Sequence, residues 1–211
     1  MHRKHLLAPS LLACAMLLSA GHALAGTDLS VNGHIRPGSA CSLTLGKGGT
    51  VDLGTISSKD LQETGLTTFD KHEISLSIQC QAPTKIAFRV LDNRAGTAFQ
   101  GFGFGLGASG GKKIGRYLLL PKDRIGDGTA LSHLVRWGNG SWNGAGSEMY
   151  TWKVSPSMTS SWSKPGYNLP QAFQNISSRL GFEIDIAPAS NLDVSQEIAI
   201  DGSATVELVY L

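Results

Sequence analysis

The sequence predicts an all-β domain, a sandwich or a barrel, and three observations carry that prediction. Apolar residues recur at every second position in one run after another, the period of a strand with one face to bury. Gly, Asn, Ser and Pro interrupt these runs at fairly regular spacing, as the turns of an antiparallel domain do. Beyond the first 25 residues, no 3.6-residue period persists for longer than about two helical turns.

The chain opens with Arg3 and Lys4, an apolar run from Leu6 to Leu18, and the small residues Ala23-Leu24-Ala25. That order is the pattern of a secretory signal peptide and predicts cleavage after Ala25, which leaves residues 1–25 out of the folded protein. The apolar run is too short to span a membrane. Of the 18 Lys and Arg, Arg3 and Lys4 leave with the leader, and the remainder equal the 16 Asp and Glu in number. A balanced surface argues against nucleic acid or an anionic membrane as the main partner. Cys14 also leaves, so an exported chain keeps Cys41 and Cys80, an even pair that predicts one disulfide in an oxidising compartment. Closing a loop of about 40 residues is worth about 4 kcal/mol on the chain-entropy argument.

Residues 26–40 form an extension before the first retained cysteine. Leu29, Val31 and Ile35 point one way with Gly33 between them, while Ser30, Asn32, His34 and Arg36 point the other. This predicts a strand that ends at Pro37-Gly38. It has no evident partner within its own chain. The domain proper is expected over 41–211. Cys41 to Leu45 alternates, and Gly46, Gly48 and Gly49 then turn the chain into Val51-Asp-Leu-Gly54. A polar connector over 55–72 leads to Ile74, Leu76, Ile78 and Cys80 on one strand face. Pro83 separates that strand from a second, in which Ile86, Phe88 and Val90 alternate with Lys85, Ala87 and Arg89.

The middle region, 94–172, is rich in Gly and Trp. Gly101, Gly103, Gly105 and Gly107 alternate with Phe102, Phe104 and Leu106, which predicts a glycine-rich strand or hairpin. Gly105 to Gly110 satisfies G-x-G-x-x-G, but no βαβ unit surrounds it, so a dinucleotide loop is not expected. Arg116 to Leu120 reads as a strand ended by Pro121. All four tryptophans, Trp137, Trp142, Trp152 and Trp162, fall in this region. On loops they would stack on the rings of a surface glycan; on a strand they would pack onto the open face of a sheet.

Regular alternation returns at Leu180, Phe182, Ile184 and Ile186. A short strand is expected over Glu197 to Asp201, before Gly202. The last run places Ala204, Val206, Leu208 and Tyr210 on one face, and the chain stops at Leu211.

In this order, the features resemble the pilin subunits of chaperone–usher fimbriae, and in particular the pilin-like fimbrial proteins of proteobacteria. The matching residues are Val31-Asn32-Gly33-His34-Ile35, Cys41, Val51-Asp-Leu-Gly54, Ser75-Leu-Ser-Ile-Gln-Cys80 and the penultimate Tyr210. The middle region is longer than in a compact pilin, and Gly202 stands nearer the end than the glycine of the usual C-terminal motif. The resemblance implies an incomplete immunoglobulin-like sandwich, the pilin fold, completed by a donor strand from a chaperone or a neighbouring subunit. It implies that Leu29, Val31 and Ile35 fill pockets in that neighbour, with Gly33 at a close backbone approach. Val206, Leu208 and Tyr210 would face the chaperone strand, and the chaperone would hold the Leu211 carboxylate. The implied partners are a periplasmic pilus chaperone, an outer-membrane usher and other pilin subunits, in a fibre at the cell surface.

Two other classes of function remain to be weighed. In a stand-alone secreted or periplasmic binding protein, the N-terminal strand would complete its own sheet. An enzyme finds little support: His34, His72 and His133 read as solvated surface histidines, and H-E-x-x-H and a P-loop are missing. No cofactor, metal or catalytic residue is expected.

Overall fold

The computed structural model describes residues 40–145 and 158–211. Two compact units divide the chain, Met1–Ile35 and Arg36–Leu211, and the described residues all belong to the second. β1 (Cys41–Leu45) leads through a glycine turn and an extended stretch into β2 (Thr67–Asp92), a strand of 26 residues. The glycine-rich run supplies β3 (Phe104–Gly105) and a small hairpin of β4 (Ala108–Ser109) and β5 (Lys112–Lys113). β6 (Gly115–Gly126), β7 (Thr129–Ala130), β8 (Ser132–Trp137) and β9 (Asn143–Ala145) follow. β10 (Met158–Ser163), β11 (Ala172–Ile186) and β12 (Ala204–Tyr210) end the chain. Helical residues among those described are confined to 3₁₀ turns.

The fold is all-β, an open, immunoglobulin-like sandwich of antiparallel sheets. One sheet holds β6, β11, the first half of β2 and β1, with β3 and β7 beyond β6. The other holds β12, the second half of β2, β10, β8 and β9. β2 joins them, and its even-numbered residues face the core from Ile74 to Cys80 and again from Thr84 to Phe88. Ile74, Leu76, Ile78 and Cys80 are buried in the first sheet, and Ile86 and Phe88 in the second. Where two strands separated at Pro83 were expected, the chain instead bends from one sheet into the other without losing its side-chain phase. Proline is tolerated at such a sheet change because no continuous ladder needs its N–H.

Pro121 likewise does not end its strand. It sits within β6, opposite Leu180 of β11. On the far side of β6, β3 and β7 pair only with residues 116–117 and 125–126, so Pro121 interrupts no described ladder there. The expected strand at 197–201 does not form: the chain there has no regular secondary structure and joins no strand ladder.

The core has two parts. Ile74, Leu76, Ile78, Ile176 and Leu180 meet Ile86, Phe88 and Trp162 from the opposite sheet. Phe104, Leu106, Tyr117, Leu119, Ile184 and Leu192 form the second. On the outer face of the first sheet, Arg116 and Asp185 make a buried ion pair at 3.0 Å. Thr68 Oγ1 donates to the same carboxylate at 2.7 Å, Arg116 Nη1 donates to Gln100 Oε1 at 3.0 Å, and the guanidinium lies 3.6 Å from the centre of the Phe102 ring. A buried pair of this kind holds only because its remaining valences are met.

Candidate functional site

Among the described residues, the two sheets do not close over the core along one side. There, β1 is the edge of one sheet and β12 the edge of the other, and among the described residues each pairs only with β2. Between them lies a groove of about 680 Å³. One rim runs from Leu45 through Val51, Leu53 and Ile56; the other runs from Val194 through Ile198 and Ala204 to Val206. The floor is core: Ile74, Leu119, Leu180, Phe182 and Ile184 all reach it.

Local sequence builds each rim. Val51 and Leu53 turn inward and Asp52 outward, and Asp52 Oδ1 accepts the Gly54 N–H at 2.8 Å to end the stretch in a turn. On the opposite rim, Arg94 grips Asp201 through two bonds of 2.8 and 2.9 Å, and the Asp201 N–H donates to the Leu106 carbonyl at 3.1 Å. The Arg94 hydrogen bonds hold the Asp201 carboxyl below its ordinary pKa. Gly202 follows, and a Cβ there would stand 2.8 Å from Leu106 Cδ2, so the position is set by close packing. At the other end, the Cys41 N–H donates to Tyr210 Oη at 2.8 Å, tying the two rims together.

The Cys41–Cys80 disulfide is present, between directly opposite residues of β1 and β2. It fixes the first rim to the centre of its sheet. Of the C-terminal residues singled out, Val206 lines the groove and Leu208 packs half-buried against the core. Tyr210 and Leu211 are exposed, 49% and 47%. Leu29, Val31, Gly33 and Ile35 lie outside the described residues.

The tryptophans divide. Trp137 is 47% exposed at the end of β8, and Trp142 is half-buried with the Arg136 guanidinium 4.6 Å from its ring centre. Trp162 is 2% exposed on the inner face of β10, stacked on Phe88 at 5.1 Å, which rules it out as a surface ligand-binding aromatic. Trp152 lies outside the described residues. Where Trp162 packs was decided by strand phase, which places it beside Phe88 across the sheet.

His133 also corrects the sequence reading. It is 1% exposed, opposite Trp162 in the β8–β10 ladder, and its ring stacks on Phe88. Neither ring nitrogen has a hydrogen-bond partner among the described residues. Burial, with the Arg124 charge adding to it, pushes its pKa down to about 3, so the imidazole is neutral. Among the described residues no three His, Cys, Asp or Glu side chains are grouped to hold a metal ion. Gly107-Ala-Ser-Gly-Gly111 satisfies the G-x-S-x-G spacing of a nucleophile elbow. Ser109 stands in the β4–β5 hairpin and not on the strand-to-helix turn that a nucleophile elbow needs.

Fold and site together define an all-β sandwich with a core groove open between two sheet edges. A family model described as a protein of unknown function (DUF1120) matches residues 29–103, which takes in most of the N-terminal extension, β1 and β2. Comparison with curated proteins gives no match.

Proposed function

We propose that this chain is a structural subunit of a surface fimbria, exported through the periplasm, captured by a pilus chaperone and passed by an outer-membrane usher into a fibre that supports adhesion. The observation that carries this reading is the groove, whose floor is made of core side chains and which lies between two strand edges that, among the described residues, each pair only with β2. Such a combination is an aggregation hazard unless another strand fills it. Donor-strand addition answers it: main-chain bonds complete the edge, and alternate apolar side chains complete the core. Leu29, Val31 and Ile35 of a neighbouring subunit supply that alternation. Each contributes about 1.5–3 kcal/mol if fully buried, before the cost of ordering the segment. Gly33 would cross the floor of the groove where a side chain does not fit.

The test is co-expression of the chain with periplasmic pilus chaperones, followed by challenge with a peptide of residues 27–38. A 1:1 chaperone complex that exchanges its partner for the peptide is the expected result. A Gly33→Val peptide is expected to fail in that exchange. A chain that folds alone as a stable monomer, indifferent to chaperone and peptide, would overturn the reading in favour of a stand-alone binding protein.

A further inference from the structure

The groove is apolar along its floor, and charge is confined to its mouth. Among the described residues that line it, the only charged side chains are Asp52 on one rim and Glu197 on the other. Both are exposed and both are acidic. The basic side chains nearest in sequence to the first rim, Lys47 and Lys59, do not line the groove. Tracing each rim away from the Cys41–Tyr210 tie, Asp52 comes after Leu45 and Glu197 lies beyond Val206 and Ala204. The two carboxylates therefore stand on the parts of the rims beyond β1 and β12, away from the Cys41–Tyr210 tie.

The extension carries the opposite pattern. Asp28 precedes its apolar alternation, and His34 and Arg36 lie at its end, on the polar face that turns to solvent when Leu29, Val31 and Ile35 turn inward. Seven residues of strand, 29 to 35, span about 20 Å. Resting on the donor-strand reading above, we propose that Asp52 and Glu197 select the occupant by charge: they favour the extension of a second copy, whose Arg36 then lies between them. The reverse direction would bring Asp28 to the same two carboxylates and is disfavoured by like-charge repulsion. A donor segment with an acidic residue in the place of Arg36 is disfavoured on the same ground. Charges on solvated rims act modestly on affinity and more on encounter rate and choice of partner, and salt screens them.

The experiment measures binding of labelled peptides of residues 26–38 to the full chain by fluorescence anisotropy, at low and high salt. The Arg36→Glu peptide is expected to bind about fivefold more weakly than the natural one at low salt, with the difference shrinking at high salt. On a chain carrying Asp52→Asn and Glu197→Lys, the order of the two peptides is expected to equalise or reverse. Asn keeps the oxygen that accepts the Gly54 N–H, so the rim turn is preserved. Equal binding of both peptides to the natural chain, at every salt concentration, would overturn the charge selection and leave the groove reading in place. Binding of neither peptide would overturn both.

Discussion

In β11, Leu180, Phe182, Ile184 and Ile186 occupy every second position, as Val206, Leu208 and Tyr210 do in β12. β11 is paired on both sides, with β2 and β6; Leu180, Ile184 and Ile186 are at most 5% exposed, and Phe182 is half-buried at the floor of the groove. β12 is paired with β2 alone among the described residues, Val206 and Leu208 are half-buried, and Tyr210 is 49% exposed. The same periodicity thus gives a closed wall in one place and an open one in the other. Alternation specifies that a face is apolar; it does not specify that anything covers it.

The sharpest way to break this contrast is to attack the closed side. Asp185→Ala leaves Arg116 as a buried charge without its carboxylate and is expected to destabilise the domain by about 3–5 kcal/mol, read by urea unfolding. Leu180→Ala, in the floor of the groove, should cost about 2–5 kcal/mol by the same measurement. Leu208→Ala, on the open wall, should cost only about 1 kcal/mol, because part of its surface is already in water. Its effect should fall instead on retention of a donor peptide. If Leu208→Ala proves as damaging to the isolated domain as Leu180→Ala, the wall is not open in solution.

A pH series probes the wall from its inner side. The His133 pKa is about 3 when folded against an ordinary value of 6.5, so the unfolded chain takes up the proton first as pH falls. Stability from this residue is complete above about pH 6.5 and drops by about 1.4 kcal/mol per unit below it, roughly 2 kcal/mol by pH 5, levelling near pH 3. His133→Phe should flatten that slope in unfolding experiments between pH 7 and 4. The smallest expected effect belongs to Tyr210→Phe. It removes the hydrogen bond from Cys41 across the end of the groove and should cost about 0.5–1.5 kcal/mol, with faster amide exchange at Cys41.

The sequence by itself determined the phase of the main strands. Val206 and Leu208 face the core as their alternation requires, Cys41 and Cys80 are joined, and Ile74 to Cys80 bury every second side chain, because a strand's period of 2 is a local property. Partnership across the fold was decided only by the tertiary structure. Pro83 and Pro121 read as strand ends, yet both lie within strands, since whether a missing N–H matters depends on which neighbour would have received it. His133 and Trp162 read as surface residues or as aromatics of undecided placement, and they meet at Phe88 because three strands far apart in sequence bring their inner faces together. The groove belongs to the same class of fact. Its rims, Val51 to Ile56 and Val194 to Val206, are more than a hundred residues apart, and only the bend of β2 from one sheet to the other sets them facing each other with the core between.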